Sequence, residues 1–197
     1  MPLMPTSRLF IALCPDDHAL EKLAQINKKV VPFATLRMIP QDQRHLTLCF
    51  LGEVEACYIS AIKDVIKKSA HIRIEPALTF KHLEYGANPQ YPNLIWLRGE
   101  NSPWIIDLWQ ELKKELTIVI PSVSLDRQGK KSLLNKHFLS HLTLARFQSS
   151  PLQNLPVLPL IAPVKVHFKN LTLTESCLTP QGPIYNVLAS VLLSRNY

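Results

Sequence analysis

The sequence predicts an α+β fold with two lobes, in which two antiparallel sheets carry helices on their outer faces and enclose a central cleft. Strand and helix patterns are mixed along the chain, and many strand segments alternate apolar and polar residues, which is typical of antiparallel sheets. Sixteen prolines among 197 residues favour many short elements. One tetrapeptide occurs twice, half a chain apart, which favours two equivalent lobes. We therefore expect one bilobal domain over residues 1–197, with one copy in each lobe.

The first elements are a strand and a helix. An apolar run over 8–14 that stops at a proline predicts a buried strand. Asp16 or Asp17 can cap a helix over 17–30. Alternation over 44–51 predicts a second strand. The remaining elements follow in order: a helix over 55–69, strands near 72–84 and 93–98, a helix over 103–117, and strands over 138–147, 164–175 and 184–193.

The clearest helix covers 103–117. Pro103 stands at its first position, where the missing N–H costs nothing, and Ser102 is the candidate N-cap. Trp104 and Trp109 lie on its apolar face at helical spacing. We therefore assign both tryptophans to the core.

The chain is basic, with a net charge of +7 and a pI near 9.3. Such a surface fits an anionic partner such as nucleic acid or a nucleotide, or else serves solubility alone. Basic side chains are concentrated in a loop over 126–137, namely Arg127, Lys130, Lys131, Lys136 and His137. This loop is either simply solvated or a track for a phosphate backbone.

Several function classes are excluded by what the sequence lacks. Its five glycines never form a G-x-G, which removes the dinucleotide fingerprint and the P-loop. The N-terminal apolar run is too short for a signal peptide, and no stretch approaches the roughly 18 apolar residues of a membrane span. The four cysteines include no C-x-x-C, and those at 14, 49 and 177 lie in apolar runs. We expect these three to behave as free core residues in a reducing cytoplasm.

The repeated tetrapeptide is His-Leu-Thr-Leu, which begins at His45 and again at His141. Side chains alternate along a strand, so each histidine shares a face with the threonine two residues on, Thr47 or Thr143, about 7 Å away. The leucines then bury against the helices. If the lobes face each other about a pseudo-twofold axis, two histidines and two threonines meet in one cleft. For either copy alone, the alternative is a half-exposed strand without function.

Two histidines and two threonines suit phosphoryl chemistry without a metal. A neutral imidazole can deprotonate water or a hydroxyl, while an imidazolium protonates the leaving oxygen. Threonine hydroxyls can donate hydrogen bonds to phosphate oxygens as charge builds on them. His137 and His141 have a spacing that would hold a metal on a helix, but no H-E-x-x-H pattern accompanies them. We therefore expect no metal and no cofactor.

With these motifs, the sequence resembles the 2H phosphoesterase superfamily, and within it the RNA 2′,3′-cyclic phosphodiesterases, also called 2′-5′ RNA ligases. The resemblance runs nearly end to end. It rests on RLFIA from Arg8, HLTLCFLG from His45, HLTLAR from His141, and a C-terminal hairpin over 173–185 that includes Gly182 and Tyr185. One H-x-T-x alone is a weak signal, whereas these segments in this order are specific.

The resemblance implies a bilobal α+β fold with its cleft between the lobes. It implies hydrolysis of a 2′,3′-cyclic phosphate at an RNA end to a 2′-phosphate and, in some members, 2′-5′ joining of RNA ends. The alternatives are another 2H activity, on 2′-5′ oligonucleotides or nucleotide cyclic phosphates, and a non-catalytic RNA-binding module. The expected partner is an RNA or oligonucleotide with a 2′,3′-cyclic phosphate end. We expect a cytoplasmic monomer that binds no membrane.

The resemblance also implies roles for individual residues. His45 is the acid that protonates the leaving 3′ oxygen, and His141 is the base that activates water. Arg146 would pair with the phosphate, or else form a surface ion pair. Phe50 would stack on a base or the sugar, or else pack in the core. Neither shares the strand parity of its histidine, so a bulge or local twist must turn each toward the cleft.

Two positions depart from the family's pattern. Ser140 stands where a proline usually precedes the second histidine, which would leave the local backbone less fixed. Arg44 stands before the first histidine, where a smaller or apolar residue is more usual. This arginine adds a cation that steers RNA or faces solvent. Neither departure removes a catalytic group.

Overall fold

The computed structural model describes residues 5–30, 36–72, 76–86, 92–120, 138–147, 155, 157–180 and 182–195. Its strands are, in chain order, β1 (Thr6–Pro15), β2 (Leu36–Met38), β3 (Leu46–Glu55), β4 (His71–Ile72), β5 (Ala77–Gly86), β6 (Leu94–Gly99), β7 (His141–Phe147), β8 (Val164–Thr179), β9 (Gly182–Leu192) and β10 (Ser194–Arg195). Its helices are α1 (Asp17–Val30), α2 (Ile59–Ser69) and α3 (Pro103–Val119). The large sheet is antiparallel, and the predicted α+β fold is confirmed.

Strand β8 joins two halves of one sheet. The strand order is β2-β7-β6-β5-β8-β1-β3, and β9 also pairs with β8. The first residues of β8 pair with β5, whereas its later residues pair with β1 and β9. The two predicted sheets are therefore continuous, because this strand of 16 residues is long enough to serve both.

The two copies of the tetrapeptide occupy equivalent places in the two halves. Strand β3 carries the first copy and pairs with β1, while β7 carries the second copy and pairs with β6. The two motif strands also contact each other. The chain therefore brings His45, which directly precedes β3, and His141, the first residue of β7, toward one region.

One face of the sheet packs against the helices. In β1, Leu9, Ile11 and Leu13 join the apolar core, whereas Phe10 and Ala12 are buried on the opposite face. The same core holds all four motif leucines, Leu46, Leu48, Leu142 and Leu144. The predicted burial of these leucines is correct, and it leaves the histidines and threonines to the other face.

Local sequence determines where two of the helices begin. Helix α1 begins at Asp17, and the amide of Ala19 donates to Asp16 Oδ1 at 2.7 Å, which identifies Asp16 as the cap. Helix α3 begins at Pro103 as predicted. The prediction that Ser102 caps it is only half right, because the residue is in position but its hydroxyl makes no capping hydrogen bond.

Other boundaries differ from the predictions. The strand expected over 72–84 is two strands, β4 and β5. The helix expected from 55 begins at Ile59, after a 3-10 turn over Ala56–Tyr58. No sequence pattern predicts β2, which has three residues and is defined by its pairing with β7. The basic loop over 126–137, including His137, lies outside the described residues.

The cysteines follow the prediction only in part. All four are free. Cys49 is buried and Cys14 is partly buried, but Cys177 is exposed. The core assignment of Cys177 is wrong because the end of β8 extends into the hairpin with β9. None of the helices within the described ranges has the length and apolar character that a membrane crossing needs.

Candidate active site

A cavity of about 510 Å³ lies where the two motif strands meet. Its walls include all six side chains expected at the site from the sequence: His45, Thr47, Phe50, His141, Thr143 and Arg146. The volume is in the range of sites that bind small molecules. Among the described residues, the charged side chains of the wall are Arg8 and Arg146, and no carboxylate joins them. The cavity therefore favours an anionic ligand.

A β-bulge in β3 places Phe50 on the cavity face. Thr47 lies opposite Ala12 and Phe50 lies opposite Phe10, so Leu48 is an extra residue between the two pairs. Residues that face each other across two strands share a sheet face. Because Phe10 and Ala12 are two apart on β1, Thr47 and Phe50 share their face, and the bulge resets the alternation.

An equivalent bulge in β7 does the same for Arg146. Thr143 lies opposite Trp96 and Arg146 lies opposite Leu94, which makes Leu144 the extra residue. Thr143 and Arg146 therefore share the face of Trp96 and Leu94. The bulge falls on the last leucine of each tetrapeptide. In both halves it therefore turns the residue five positions after the histidine onto the face of the cavity.

Each motif histidine is tied to its own backbone. His45 Nδ1 lies 2.7 Å from the carbonyl oxygen of Gln43, and His141 Nδ1 lies 2.8 Å from that of Leu139. A carbonyl oxygen only accepts hydrogen bonds, so Nδ1 carries the hydrogen in both rings. The neutral ring then has its lone pair on Nε2, the nitrogen available to the cavity.

An aromatic ring backs each histidine. Phe10 stacks on His45 with ring centroids 4.8 Å apart and planes at 28°. Trp96 lies against His141 with centroids 4.2 Å apart and planes at 35°. Both aromatic residues come from the strand paired with the motif strand, β1 or β6. Their flat faces limit the tilt of the imidazoles and keep water from one side of each ring.

Two further residues complete these aromatic supports. The Tyr185 ring meets His45 edge-on, with centroids 5.3 Å apart. Gly86 lies against the indole of Trp96, where a Cβ atom would overlap the ring. A side chain at Gly86 would therefore displace the indole that lies against His141.

Hydrogen bonds hold Ser140, and the expectation that this serine loosens the backbone is wrong. Ser140 is fully buried, and its amide and hydroxyl donate to Asn101 Oδ1 at 3.1 and 2.8 Å. Its carbonyl accepts from the Gly99 amide at 2.9 Å and from Arg98 Nη1 at 3.1 Å. This network fixes the residue before His141 without a proline.

Arg44 also departs from its expected place. Only 6% of its surface is exposed, so it neither faces solvent nor forms an open track for RNA. Burial lowers the pKa of its guanidinium. Its Nε and Nη1 atoms have no hydrogen-bond partner. A buried cation therefore lies next to His45.

Burial dominates the protonation of both histidines. It lowers the pKa of His45 to about 4, against the opposing effect of the Gln43 carbonyl, and positive charge on His141 and Arg146 adds to the lowering. Burial also lowers the pKa of His141, against the Leu139 carbonyl, with Arg98 lowering it further and Glu84 raising it. Both rings are therefore neutral at pH 7 in the unliganded protein, and each is sensitive to nearby charge.

The structure places Phe50 outside the core and Arg146 outside any ion pair of the described residues, which were the alternatives to a role in ligand binding. Phe50 is 48% exposed at the cavity wall, so it is not a core residue. Arg146 forms no ion pair with any residue in the described ranges, and its Nε has no hydrogen-bond partner. Both side chains are therefore available to a ligand.

The cavity wall also contains residues that the sequence did not indicate as part of a site. Phe10, Trp96 and Tyr185 support the histidines, and only the pairing register of the strands reveals this. Trp104 is buried as predicted, but Trp109 borders the cavity and is only partly buried. Within the described part of the chain, no three histidine, cysteine, aspartate or glutamate side chains are grouped to hold a metal ion.

The low pKa of His45 predicts a loss of stability in mild acid. The unfolded chain protonates this ring near pH 6.5, whereas the folded protein keeps it neutral down to about pH 4. The free energy of unfolding should therefore fall as the pH falls from 6.5 to 4, by roughly 3 kcal/mol for this group. Urea unfolding of the wild type and of His45→Gln across this range measures the effect. The variant should show a smaller pH dependence, and an equal one would contradict the burial of the ring.

Comparisons with known proteins bear on this site. No family model matches the chain. The RNA 2′,3′-cyclic phosphodiesterase of Thermotoga maritima is 28% identical to it over 186 residues, which cover 92% of each chain. The protein TT0787 of Thermus thermophilus shares the fold, with a TM-score of 0.79 at 24% identity over 96% of this chain and 100% of that one.

Escherichia coli LigT is a further structural relative. Its apo form matches with a TM-score of 0.65 at 25% identity, over 96% of this chain and 99% of LigT. LigT has also been crystallised in complex with NADP+. Because these relatives match nearly the whole chain, the comparison includes both motifs. The expected resemblance is confirmed: over most of its length, the chain is similar to proteins named RNA 2′,3′-cyclic phosphodiesterase and to LigT.

Proposed function

We propose that this protein hydrolyses the 2′,3′-cyclic phosphate at the end of an RNA strand and leaves a 2′-phosphate. The proposal rests on the two histidines that line one cavity. In each, Nδ1 is hydrogen-bonded to a backbone carbonyl, so Nε2 is the nitrogen available to a ligand. Two such rings provide a base and an acid for one phosphate. The name of the Thermotoga relative supports the substrate, and the LigT complex with NADP+ supports a ligand of nucleotide chemistry.

The reaction moves one proton from water and one to the sugar. Nε2 of His141 takes a proton from water as the water oxygen attacks phosphorus. The bond between phosphorus and the 3′ oxygen breaks, and Nε2 of His45 gives its proton to that oxygen. The product has a 2′-phosphate and a free 3′-hydroxyl. Solvent then restores the starting protonation of the two rings, so the net change is the addition of one water molecule.

The cavity's other polar groups hold the phosphate in this proposal. Thr47 and Thr143 share the face of the histidines, where their hydroxyls donate to non-bridging oxygens. The unpaired guanidinium of Arg146 binds the phosphate charge. The exposed ring of Phe50 offers a flat surface on which a base stacks.

We further propose that the protein acts as a monomer in the cytoplasm. One chain supplies both motifs to the cavity, so no second copy is needed to complete the site. The four free cysteines fit a reducing compartment.

A panel of substrates tests the proposed reaction. Purified protein should open RNA 2′,3′-cyclic phosphate ends to 2′-phosphates faster than it cleaves 2′-5′ oligonucleotides, and a 5′-hydroxyl RNA added to the assay reveals any 2′-5′ joining. Activity should survive EDTA, because the histidines supply both acid and base. Binding of RNA without turnover would contradict the proposal. Loss of turnover in EDTA that a divalent ion restores would contradict the mechanism.

The roles of the threonines and Arg146 predict different kinetic effects. Thr47→Ala and Thr143→Ala should each lower kcat by about 10²–10³, because their hydrogen bonds strengthen on the charge of the transition state. Arg146→Ala should mainly raise KM, because its charge attracts the phosphate before and during reaction. Steady-state kinetics on a cyclic mononucleotide separates the two. An unchanged KM and kcat in Arg146→Ala would remove this residue from the site.

The pKa shifts predict an acidic optimum for kcat/KM. In the free protein the pKa of His45 is about 4 and that of His141 is also below its usual value. The proposed reaction needs His45 protonated and His141 neutral. Because burial opposes protonation of both rings, the bell-shaped profile should peak below pH 6.5. Bound cyclic phosphate raises both pKa values, so the kcat profile should lie at higher pH. Coincident profiles would contradict this coupling to the substrate.

A substrate with an activated leaving group tests which histidine is the acid and which is the base. A p-nitrophenyl ester needs little protonation of its leaving oxygen, so it should rescue His45→Ala more than His141→Ala. Rates of both variants on this ester and on the cyclic phosphate measure the rescue. A reversed pattern would exchange the two roles, and no rescue in either variant would mean that neither ring acts as the acid.

A further inference from the structure

Arg44 is a buried cation that no described residue neutralises. It is 6% exposed, and its Nε and Nη1 atoms have neither solvent contact nor a hydrogen-bond partner. None of the ion pairs formed within the described ranges includes it. An arginine stays protonated in proteins, and a buried charge without a partner is strongly destabilising. Among the described residues, the positive charge of Arg44 therefore has no negative partner.

A small cavity of about 50 Å³ lies against Arg44. It adjoins the main cavity, since Phe10, His45 and Tyr185 border both. A water molecule needs about 10–15 Å³ by this kind of measure, so the space holds a group of a few heavy atoms. It is too small for a base or a sugar.

Two buried hydroxyls border the same small cavity. Thr174 Oγ1 donates to Thr172 Oγ1 at 3.4 Å, and Thr172 Oγ1 donates to the Ala12 carbonyl at 3.3 Å. A hydroxyl hydrogen rotates, so either group can turn its donor to a ligand. Asp42 also borders the cavity, but its side chain is exposed and forms no ion pair with Arg44 in the described structure.

We propose that Arg44 and these hydroxyls form a second phosphate-binding subsite beside the catalytic cavity. The guanidinium of Arg44 supplies the positive charge, and the hydroxyls of Thr172 and Thr174 supply the hydrogen-bond donors, that a phosphate requires. The phosphate has two possible sources. It is either a phosphodiester of the RNA strand near the cyclic end, in which case the inference rests on the proposed function, or free inorganic phosphate, in which case it does not.

Thermal unfolding in inorganic phosphate tests the subsite without using activity. Phosphate should raise the Tm of the wild type above its value in chloride at equal ionic strength. Arg44→Met should lose much of this rise, whereas Arg44→Lys, which keeps the positive charge, should lose less. Without phosphate, Arg44→Met should be at least as stable as the wild type, because it removes an uncompensated charge.

A matched control separates the subsite from the main cavity. Arg146→Met removes a cation of the main cavity that also lacks an ion pair in the described structure. This variant should keep the part of the phosphate-dependent rise in Tm that comes from Arg44. Removing both arginines should therefore reduce the rise in Tm further than either single change.

Kinetics then distinguish the two sources of phosphate. The substrates are a cyclic mononucleotide and a dinucleotide with the same cyclic end and one phosphodiester. If the subsite binds the strand, Arg44→Met should lower kcat/KM about ten-fold more for the dinucleotide than for the mononucleotide. If it binds free phosphate, the two substrates should be affected equally while the Tm effect remains. A wild type that hydrolyses neither substrate would refute the proposed function, and the Tm comparison would still decide the subsite.

Two results would overturn the subsite. One is an Arg44→Met variant that keeps the full phosphate-dependent rise in Tm. The other is an equal loss of Tm in Arg44→Met and Asp42→Asn, with no further loss in the double variant. That pattern would show that Arg44 pairs with Asp42 in solution, so that no free charge is left for an anion.

Discussion

The site depends first on a hydrogen bond from histidine to the backbone, which both motif histidines form in the same way. His45 and His141 each donate Nδ1–H to the carbonyl two residues earlier, at 2.7 and 2.8 Å. This bond selects the tautomer and leaves Nε2 of each ring for the cavity. Aromatic rings from the neighbouring strands then limit the tilt of the imidazoles. In our proposal the acid and the base therefore share one local arrangement, and the bound phosphate, rather than a metal, raises the pKa values of both rings.

A second constraint is the bulge at the last leucine of each motif. Without it, Phe50 and Arg146 would point into the core face beside the motif leucines. With it, each motif strand contributes a histidine, a threonine and one larger side chain to the same wall. The larger side chain is aromatic in one half and cationic in the other. The two halves therefore share a backbone pattern but present different chemistry to the ligand.

Strand alternation is enough to predict that His45 shares a face with Thr47, and His141 with Thr143, because that parity is local. The side chains beyond the bulges could not be predicted in the same way, since Leu48 and Leu144 carry no sequence signature of an extra residue. The support of Ser140 comes from Asn101, 39 residues away, and no local pattern reveals it. The burial of Arg44 was missed because arginine is usually exposed, and only the packing before β3 encloses it.

The joint action of the two histidines is tested by the kcat of His45→Ala, of His141→Ala and of the double variant on a cyclic mononucleotide. If the two rings act as one acid–base unit, each single change nearly abolishes turnover, and the double variant is little worse than either. Circular dichroism should confirm that all three variants fold. Single effects that multiply in the double variant, or one single variant with near wild-type turnover, would contradict a joint acid–base role of the two histidines.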